Sequence, residues 1–312
     1  MSITAKQPVS LKEEKPEKMV SAGKSWYYKH RQAVEGWIIL VPILVYFFVF
    51  SIIPVVLNFI VSFTNWNGVS SDIKFVGIDN YLQYFKEPYP LIIFNTALFA
   101  FVILIVQTSV AFFVALLLNQ KIFGRGLYRA LWYIPTLTSA AIVAQIGVIF
   151  IAPYGGVFNS ILKSIGLNQV IWTTDPFWMK VFIIAFSVWR GLGGPVVLFL
   201  AALQGVHPEL YEAARVDGAT PRKLLWYITI PLIKPMILFV TVTSIIGGFQ
   251  IFEAVYLISK GGPFNQTNVM LVQIYSDAFT NNNFGVAGAG AMVMMFILLW
   301  FSLISMRLLR QG

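Results

Sequence analysis

The segment ELYEAARVDGATPRKLLWYITIPLIKP, residues 209–235, is a charged interruption in an otherwise apolar chain. Seven of its side chains are ionisable: Glu209, Glu212, Arg215, Asp217, Arg222, Lys223 and Lys234. The 312-residue chain as a whole is 58% hydrophobic and 11% charged, whereas soluble domains average about 25% charged residues. The fold must therefore accommodate a polar segment between two strongly apolar ones.

Local signals within this segment predict two short helices separated by a corner. Pro208 suits the first turn of a helix, where its missing N–H is not needed. Gly218 suits a left-handed end to that helix, and Thr220 followed by Pro221 is a typical start for the next one. Pro231 then bends the chain into the following apolar run. We therefore predict a helical hairpin over residues 207–235.

Six apolar runs surround this hairpin, and each is about as long as the roughly 20 residues that cross a bilayer as a helix. They cover residues 37–63, 91–118, 130–153, 179–204, 236–259 and 286–306. Only helices and closed barrels satisfy every backbone polar group within lipid. The sequence therefore predicts an all-α integral membrane protein, with a six-helix transmembrane domain over residues 37–310.

The distribution of lysine and arginine orients these helices. If residues 1–36 form a cytoplasmic tail, sixteen basic residues lie in cytoplasmic segments, five in outer segments and one, Arg190, within a span. This excess predicts a multi-pass protein of the cell membrane with both termini and the hairpin in the cytoplasm. The net charge of +9 then reflects topology and attraction to anionic lipid, not nucleic-acid binding. The basic tail is expected to be partly disordered, because its polar composition cannot bury a core.

Composition also argues against several kinds of chemistry. The chain has no cysteine, and its two histidines, His30 and His207, are too few and too far apart for a metal cluster. Residues 23–25, GKS, resemble the end of a phosphate-binding loop, but the motif needs glycine where Lys18 stands. We therefore expect no catalytic residues, no metal site and no cofactor bound by this chain.

Two ionisable residues lie inside predicted spans, where a charge is expensive and by default faces a cavity or a partner. Arg190 lies in the fourth span and Glu253 in the fifth. Counting the helical rise from the outer ends puts them at depths about 7 Å apart. Two alternatives remain open: the side chains form an ion pair, or each separately lines a wet path or satisfies backbone groups.

Glycine and proline within the fourth span predict a break in its helix. Residues 189–195, WRGLGGP, contain three glycines and a proline, which loosen the hydrogen-bond ladder. Backbone carbonyls freed at membrane depth are tolerated only beside a cavity or other protein. We therefore expect this break to lie beside a cavity or another part of the protein.

The last span is rich in small residues. Gly285, Gly288 and Ala289 permit close approach of a second helix. That helix could belong to the same chain, as internal packing, or to a second membrane subunit at a seam. The sequence supports both alternatives equally.

The hairpin resembles the EAA loop of permeases from ATP-binding-cassette (ABC) importers. The family pattern is Glu-Ala-Ala, three residues, Gly, nine residues, then Ile-x-Leu-Pro, and this sequence matches it at residues 212–214, Gly218 and residues 228–231. Ile230 replaces the usual leucine. The segments LQGVHPELYEAA and GGFQIFEAVYLISKGGPFNQT are similar to those of carbohydrate-uptake, maltose-transporter-like permeases. The resemblance covers residues 36–310, with six spans where some relatives have eight and a large periplasmic insertion.

This resemblance implies a type I ABC importer permease fold and a role as a transport subunit, not an enzyme. In such importers the EAA loop inserts into a groove on the ATPase, so that ATP-driven closure of the ATPases moves the spans. Carried onto this chain, the coupling residues are Glu212, Ala213, Ala214, Asp217, Gly218 and Pro231. ATP and Mg²⁺ would be bound by the partner subunits.

The same resemblance implies a substrate path through the fourth and fifth spans. The family's Leu-Gly-x-Pro falls on Leu192, Gly193 and Pro195, and the Gly-Gly-Pro of residues 261–263 anchors a second match. Sugars favour planar polar groups and aromatic faces. The expected path residues are Trp189, Arg190, Leu192, Gly193, Gly247, Gly248, Phe249, Gln250, Ile251 and Glu253.

The function implied is ATP-driven import of a sugar, most simply an oligosaccharide. The expected partners are a second homologous permease, two ABC ATPases, an extracellular sugar-binding protein and membrane lipid. An ABC permease for another solute, such as a polyamine, a phosphate ester or a compatible solute, is one alternative. A stand-alone secondary transporter or channel is another, and it would have no use for the hairpin.

Overall fold

The computed structural model describes residues 22–120 and 123–310. Within those residues the regular elements are helical, and extended pairing is limited to one isolated bridge between Thr64 and Phe75. Residues 1–21 of the predicted basic tail lie outside the described residues. From Ala22 onward the chain is helical, with a kink at His30 (φ −115°, ψ 16°), so a short helical segment precedes the first span.

The chain divides into two compact units, Met1–Leu57 and Asn58–Gly312. The first eight α-helices are α1 (Ala22–Phe47), α2 (Ile53–Val61), α3 (Asp79–Leu82), α4 (Tyr89–Leu118), α5 (Arg125–Leu137), α6 (Ala140–Phe150), α7 (Val157–Ser164) and α8 (Pro176–Gly191). The others are α9 (Gly193–Gln204), α10 (Pro208–Val216), α11 (Pro221–Leu224), α12 (Ile230–Leu232), α13 (Lys234–Phe249), α14 (Glu253–Ile258), α15 (Met270–Tyr275) and α16 (Phe284–Arg310). Segments Phe48–Ile52, Leu225–Thr229 and Ser276–Thr280 are π-helical.

Four helical segments of the described chain are long and apolar enough to cross a bilayer. They are His30–Val61, Tyr89–Leu118, Lys234–Ile258 and Phe284–Ile304. Two further pairs meet the same criterion but are bent, α5 with α6 by 94° and α8 with α9 by 48°. The predicted all-α membrane fold is confirmed, and its six spans are recovered when each bent pair counts as one.

In the first unit, an ion pair with helical spacing lies in α1. Arg31 Nε donates to Glu35 Oε1 at 2.7 Å, one turn further along the helix. The helix becomes π-helical at Phe48–Ile52, just before Pro54, which has no N–H for the carbonyl four residues earlier. Apolar side chains from Trp37 onward are exposed, as suits a lipid surrounding.

Helix α4 is the centre of the second unit. It packs against α8, α9, α13 and α15. Its buried residues include Phe99, Ile103 and Ala111. They lie on one broad face of the helix, whereas Phe94, Phe101 and Ile105 are exposed on the other face. Phe112 of α4 meets Phe199 of α9 edge to face, with ring centroids 5.6 Å apart.

The third predicted span, residues 130–153, is not a single straight helix. Helix α5 ends at Leu137, Thr138 is extended (φ −78°, ψ 144°), and α6 begins at Ala140. The chain therefore turns by 94° inside the apolar run. Hydropathy could not predict this turn, because the length of an apolar run does not indicate whether the helix within it is straight or bent.

The small residues of α16 are used for packing within the second unit. A side chain at Gly285 would overlap the carbonyl oxygen of Thr64, and one at Gly288 would press on Asn58. Ala289 is completely buried. Of the two alternatives for these residues, the structure adopts close internal packing.

A buried carboxylate lies between α15 and α16. Asp277 Oδ1 accepts from Gln273 Nε2 at 2.8 Å and from Asn281 Nδ2 at 3.1 Å, and Tyr89 donates its hydroxyl to Oδ2 at 3.2 Å. Burial raises the pKa of Asp277 above its ordinary value, and these hydrogen bonds partly offset the rise. The carboxylate therefore anchors the turn before the last span.

Candidate functional site

The fourth span breaks where its sequence predicts. Helix α8 ends at Gly191 and α9 begins at Gly193, with a 48° bend between them. Pro195 has no N–H, so the carbonyl of Gly191, four residues earlier, lacks its helical donor. Gln107 of α4 replaces that donor, because its Nε2 donates to Gly191 O at 2.8 Å.

A second carbonyl at the break is also satisfied from outside the helix. Thr136 of α5 donates its hydroxyl to Arg190 O at 2.9 Å. A side chain at Gly193 would collide with Thr136 and Tyr133, so glycine permits α5 to approach this closely. Side chains from α4 and α5 thus hold the broken span in its bent form.

The fifth span is interrupted at a similar point. Helix α13 ends at Phe249, Phe252 leaves helical geometry (φ −132°, ψ −61°), and α14 begins at Glu253. A carboxylate in the first turn complements the positive end of a helix dipole. The interruption therefore places Glu253 at a favourable position facing the break in the fourth span.

The two breaks are joined by an ion pair. Arg190 Nη1 lies 3.3 Å from Glu253 Oε2, and the two side chains are 31% and 56% exposed. Arg190 Nε is buried and has no acceptor within the described residues. Of the two alternatives left open by the sequence, the direct ion pair is the one that the structure adopts.

A cavity of about 560 Å³ opens beside this ion pair, between α4, α8, α13 and α14. Its polar lining comprises Gln107, Ser187, Arg190, Thr243, Ser244, Gln250 and Glu253. Ile103, Phe186 and Phe252 supply apolar wall. The cavity thus combines amide, hydroxyl and charged groups with aromatic surface.

Six of the ten predicted path residues line this cavity: Arg190, Gly247, Gly248, Gln250, Ile251 and Glu253. They do so in different ways. Gly247 has open space on its side-chain face, whereas a side chain at Gly248 would press on the backbone of Ala100. Gly248 therefore also serves helix packing, and Gln250 is exposed at the end of α13.

The other four predicted path residues lie elsewhere. Trp189 lines a separate apolar groove beside Trp132, because adjacent residues point about 100° apart on a helix. Leu192 is in the buried core, and Gly193 packs on α5. Phe249 packs on Phe301, with ring centroids 5.2 Å apart.

The sequence did not single out Gln107, Ser187, Thr243 or Ser244, which also line the cavity. Each is a polar residue in an apolar span. The available signal was Gln107 itself, since an amide at membrane depth needs a partner. Its partner, the carbonyl freed by Pro195, is visible only after the two helices are packed together.

The charged hairpin adopts the predicted two helices and corner. Helix α10 ends at Val216. Gly218 follows with φ +80°, and Ala219 N donates back to Ala214 O at 2.9 Å. Thr220 caps α11 by accepting from Lys223 N at 3.4 Å. The left-handed geometry explains why glycine is needed at this corner.

One polar contact joins α10 to the π-helical segment Leu225–Thr229 within the hairpin. Tyr211 and Thr229 join their hydroxyl groups at 3.1 Å, and Thr229 also donates to Leu224 O at 3.2 Å. Tyr211 therefore points inward from α10. The predicted coupling residues Glu212, Ala213, Asp217, Gly218 and Pro231 are exposed, and Ala214 is half-buried.

Apolar side chains lie beside the exposed carboxylate of the hairpin. Val216 is 88% exposed and Leu210 is 44% exposed, on the same short helix as Glu212. Exposed apolar residues mixed with charge are typical of a surface that meets a partner. The hairpin therefore has the properties of a protein-docking element.

Broken spans around a polar cavity, together with a charged and exposed hairpin, are typical of a helical membrane transport protein. Comparison with known families specifies the class further. The chain belongs to the binding-protein-dependent transport system inner membrane component family, whose model matches residues 108–311. It is accordingly an ABC transporter permease and a multi-pass inner-membrane protein that works with a binding protein and other transport components.

Relatives of similar length carry the names of sugar permeases. The lactose transport system permease protein LacF of Rhizobium radiobacter is 33% identical over 254 residues, covering 79% of this chain and 84% of that protein. The arabinooligosaccharides transport system permease protein AraP of Bacillus subtilis is 31% identical over 294 residues, covering 92% of each.

Solved structures of similar fold include an alginate importer. A chain of the bacterial alginate ABC transporter, in complex with an alginate pentasaccharide-bound periplasmic protein, matches with a TM-score of 0.79 at 25% identity. The match covers 89% of this chain and 95% of that one. The type I ABC permease fold implied by the hairpin is thereby confirmed.

Proposed function

We propose that this chain is one of the transmembrane subunits of an ATP-driven importer of sugars, most simply oligosaccharides. The observation that carries the proposal is the polar, aromatic-walled cavity at the paired breaks of the fourth and fifth spans. Named relatives transport lactose and arabinooligosaccharides, and a related structure handles alginate. These support the same cargo class for this chain.

The chemistry of the cavity suits a neutral polyol. Gln250, Thr243 and Ser244 offer donors and acceptors for hydroxyl groups, and Phe252 offers an aromatic face. The volume of about 560 Å³ is in the range of roughly 300–1,000 Å³ that small-molecule sites occupy. One or two sugar units could therefore occupy the cavity at a time.

The ion pair helps to distinguish a sugar from charged solutes such as a polyamine or a phosphate ester. Glu253 alone would favour a polyamine, and Arg190 alone would favour a phosphate ester. At 3.3 Å the two charges largely neutralise each other, which leaves little net charge to attract either kind of ion. This neutrality supports a sugar over those solutes.

The hairpin over residues 207–235 is proposed to dock into the ATPase. Glu212 would meet basic groups there, Leu210 and Val216 would be covered, and the corner at Gly218 would set the approach of α10. ATP and Mg²⁺ would be bound by the ATPase and not by this chain. A stand-alone secondary transporter would have no use for such an element.

The complete transporter would contain a second homologous permease, two ABC ATPases and an extracellular sugar-binding protein. Both termini of this chain and the hairpin would face the cytoplasm. Sixteen basic residues against five support that orientation. Substrate would be delivered from outside and released inside by alternating access.

Reconstituted vesicles test the proposed function. With all subunits present, we expect uptake of labelled oligosaccharide that requires ATP and the binding protein. Glu212→Ala should preserve the fold and reduce uptake per ATP hydrolysed at least tenfold, because a charge-assisted contact is lost. Sugar uptake by the chain alone without ATPase would contradict the proposal, and normal uptake by Glu212→Ala would exclude Glu212 from coupling.

A further inference from the structure

Two arginines meet at the end of the helical bundle where α5 begins. Arg125 and Arg129 are one turn apart, so their side chains share a face of α5. Both are half-buried beside the end of α9. There the amide oxygen of Gln204, turned toward them, accepts from Nη2 of both arginines, at 2.7 Å for Arg129. One neutral oxygen therefore serves two guanidinium groups.

The described residues provide no counter-charge for this pair. Their ion pairs are Arg31–Glu35, Lys74–Asp72 and Arg190–Glu253. Neither Arg125 nor Arg129 takes part in one, and the Nε atom of each is buried without an acceptor. Like charges one turn apart repel, and the end of α9 supplies only about half a negative charge. Within residues 22–120 and 123–310, the arginine pair therefore keeps more than one uncompensated positive charge.

The start of α5 adds further unsatisfied donors. The N-cap residue is Gly124, with φ +71°, which has no side chain to accept from the first N–H groups of the helix. The start of a helix carries a partial positive charge. The basic side chain of Arg125 in the first turn therefore adds repulsion there. An anion bound here would relieve both the dipole and the arginine repulsion.

The outer face of α5 is apolar. Leu127, Leu131 and Ile134 are 66%, 52% and 52% exposed and recur at helical spacing opposite the arginines. Phe123 is completely exposed just before the helix. At this end of the bundle, a ligand that carries a phosphate and acyl chains can bind the arginines through its phosphate and cover the apolar face through its acyl chains.

We propose that Arg125 and Arg129 form a binding site for the phosphate of an anionic phospholipid. Guanidinium forks match phosphate oxygens bidentately, and the acyl chains lie on the exposed face of α5. The bound lipid holds α5 against α9 and thereby supports Thr136, the α5 side chain that satisfies the carbonyl of Arg190 at the break. This site is independent of which solute the chain transports.

Titration of the purified complex with lipid in detergent, followed by native mass spectrometry, tests the proposal. We expect phosphatidylglycerol to bind at least tenfold more tightly than phosphatidylcholine. Arg125→Gln combined with Arg129→Gln should weaken phosphatidylglycerol binding about 30-fold, equivalent to about 2 kcal/mol at about 1 kcal/mol for each basic residue. Lys74→Gln combined with Lys86→Gln removes the same charge elsewhere and should leave binding unchanged.

Equal phosphatidylglycerol binding by the wild type and the arginine double variant would overturn the proposal. Displacement of the lipid by millimolar inorganic phosphate would also overturn it, because the site would then be one for soluble anions. If the double variant fails to fold, photoreactive phosphatidylglycerol added to the unaltered complex decides the matter. We expect crosslinks within residues 123–131, and crosslinks confined to other helices would contradict the site.

Discussion

Arg190 and Glu253 are oppositely charged residues placed where two spans break. Their presence inside apolar runs was sufficient to predict that they face a cavity or each other. Their depths in the membrane, counted along the two helices, were close enough for an ion pair. The polar residues around them were harder to predict. Thr243 and Ser244 are adjacent in sequence and both line the cavity. The sequence of an apolar run does not show which face of its helix lines a cavity.

The ion pair yields a prediction at this scale. Arg190→Gln and Glu253→Gln should each lower the initial rate of sugar uptake about fivefold, because each leaves an unpaired charge in the cavity. The double variant should be closer to the wild type than either single variant. Because both side chains are partly exposed, we expect a coupling of about 1 kcal/mol at most.

The pair Arg31–Glu35 offers a matched control, since it is also an ion pair but lies 61% and 48% exposed on α1. The same neutralisations there should leave uptake unchanged. Additive losses at Arg190 and Glu253, with no recovery in the double variant, would show that the ion pair has no role as a unit.

Asp277 provides a second prediction, on pH. Because burial raises its pKa in the folded state, the folded protein binds the proton more tightly than the unfolded chain does. Stability from this group is therefore present below its ordinary pKa, about 4, and is lost as pH rises through the folded value. Asp277→Asn keeps one acceptor oxygen for Gln273 and Asn281, and it cannot ionise, so its stability does not fall as pH rises.

Thermal unfolding in detergent checks the prediction. The unfolding temperature of Asp277→Asn relative to the wild type should increase between about pH 4 and pH 8. A difference that stays constant, or that shrinks as pH rises, would contradict the assignment of a raised pKa to this carboxyl.

At the scale of elements, cap and breaker residues were the most informative part of the sequence. Pro208, Gly218, Thr220 and Pro221 predicted both helices of the hairpin and the corner between them. The WRGLGGP run predicted the break in the fourth span. The 94° bend between α5 and α6 was not predicted, because the length of an apolar run does not indicate whether its helix bends.

The break in the fourth span allows a test with two substitutions. Gln107→Leu should destabilise the protein by about 1–3 kcal/mol, because the carbonyl of Gly191 loses its donor inside the bundle. In a Pro195→Ala background the cost should be much smaller, since the substituted alanine can supply the helical N–H. Pro195→Ala alone should raise the unfolding temperature and lower sugar uptake, because the span straightens.

Unfolding temperatures of the four proteins in that cycle give the answer. Equal losses from Gln107→Leu in both backgrounds would mean that Gln107 does not replace the missing donor. Gly194→Ala is a useful reference, because a side chain there meets open space and should not reduce stability.

At the scale of the whole molecule, apolar run lengths predicted the all-α membrane fold, and the hairpin pattern predicted its class. The lining of the cavity was only partly predicted. Trp189, Leu192, Gly193 and Phe249 lie away from the cavity, because each belongs to a neighbouring face of the helix that carries a lining residue. Sequence proximity to Arg190 or Gln250 could not separate those faces.

The docking role proposed for the hairpin makes the central claim testable at this scale. Glu212→Arg reverses the charge of an exposed side chain on α10 and should not disturb the fold. It should prevent association with the ATPase, which is expected to present basic groups there, while contacts between the permeases remain. Lys163→Glu, a charge reversal on α7 outside the hairpin, is the corresponding control.

The most direct measurement is the subunit content of the complex recovered in mild detergent through a tag on Gly312. The wild type and Lys163→Glu should recover an ABC ATPase and a second, similar permease. Glu212→Arg should recover the second permease with at least tenfold less ATPase. Recovery of the wild-type chain alone or only with copies of itself, or equal ATPase recovery by Glu212→Arg, would contradict the account.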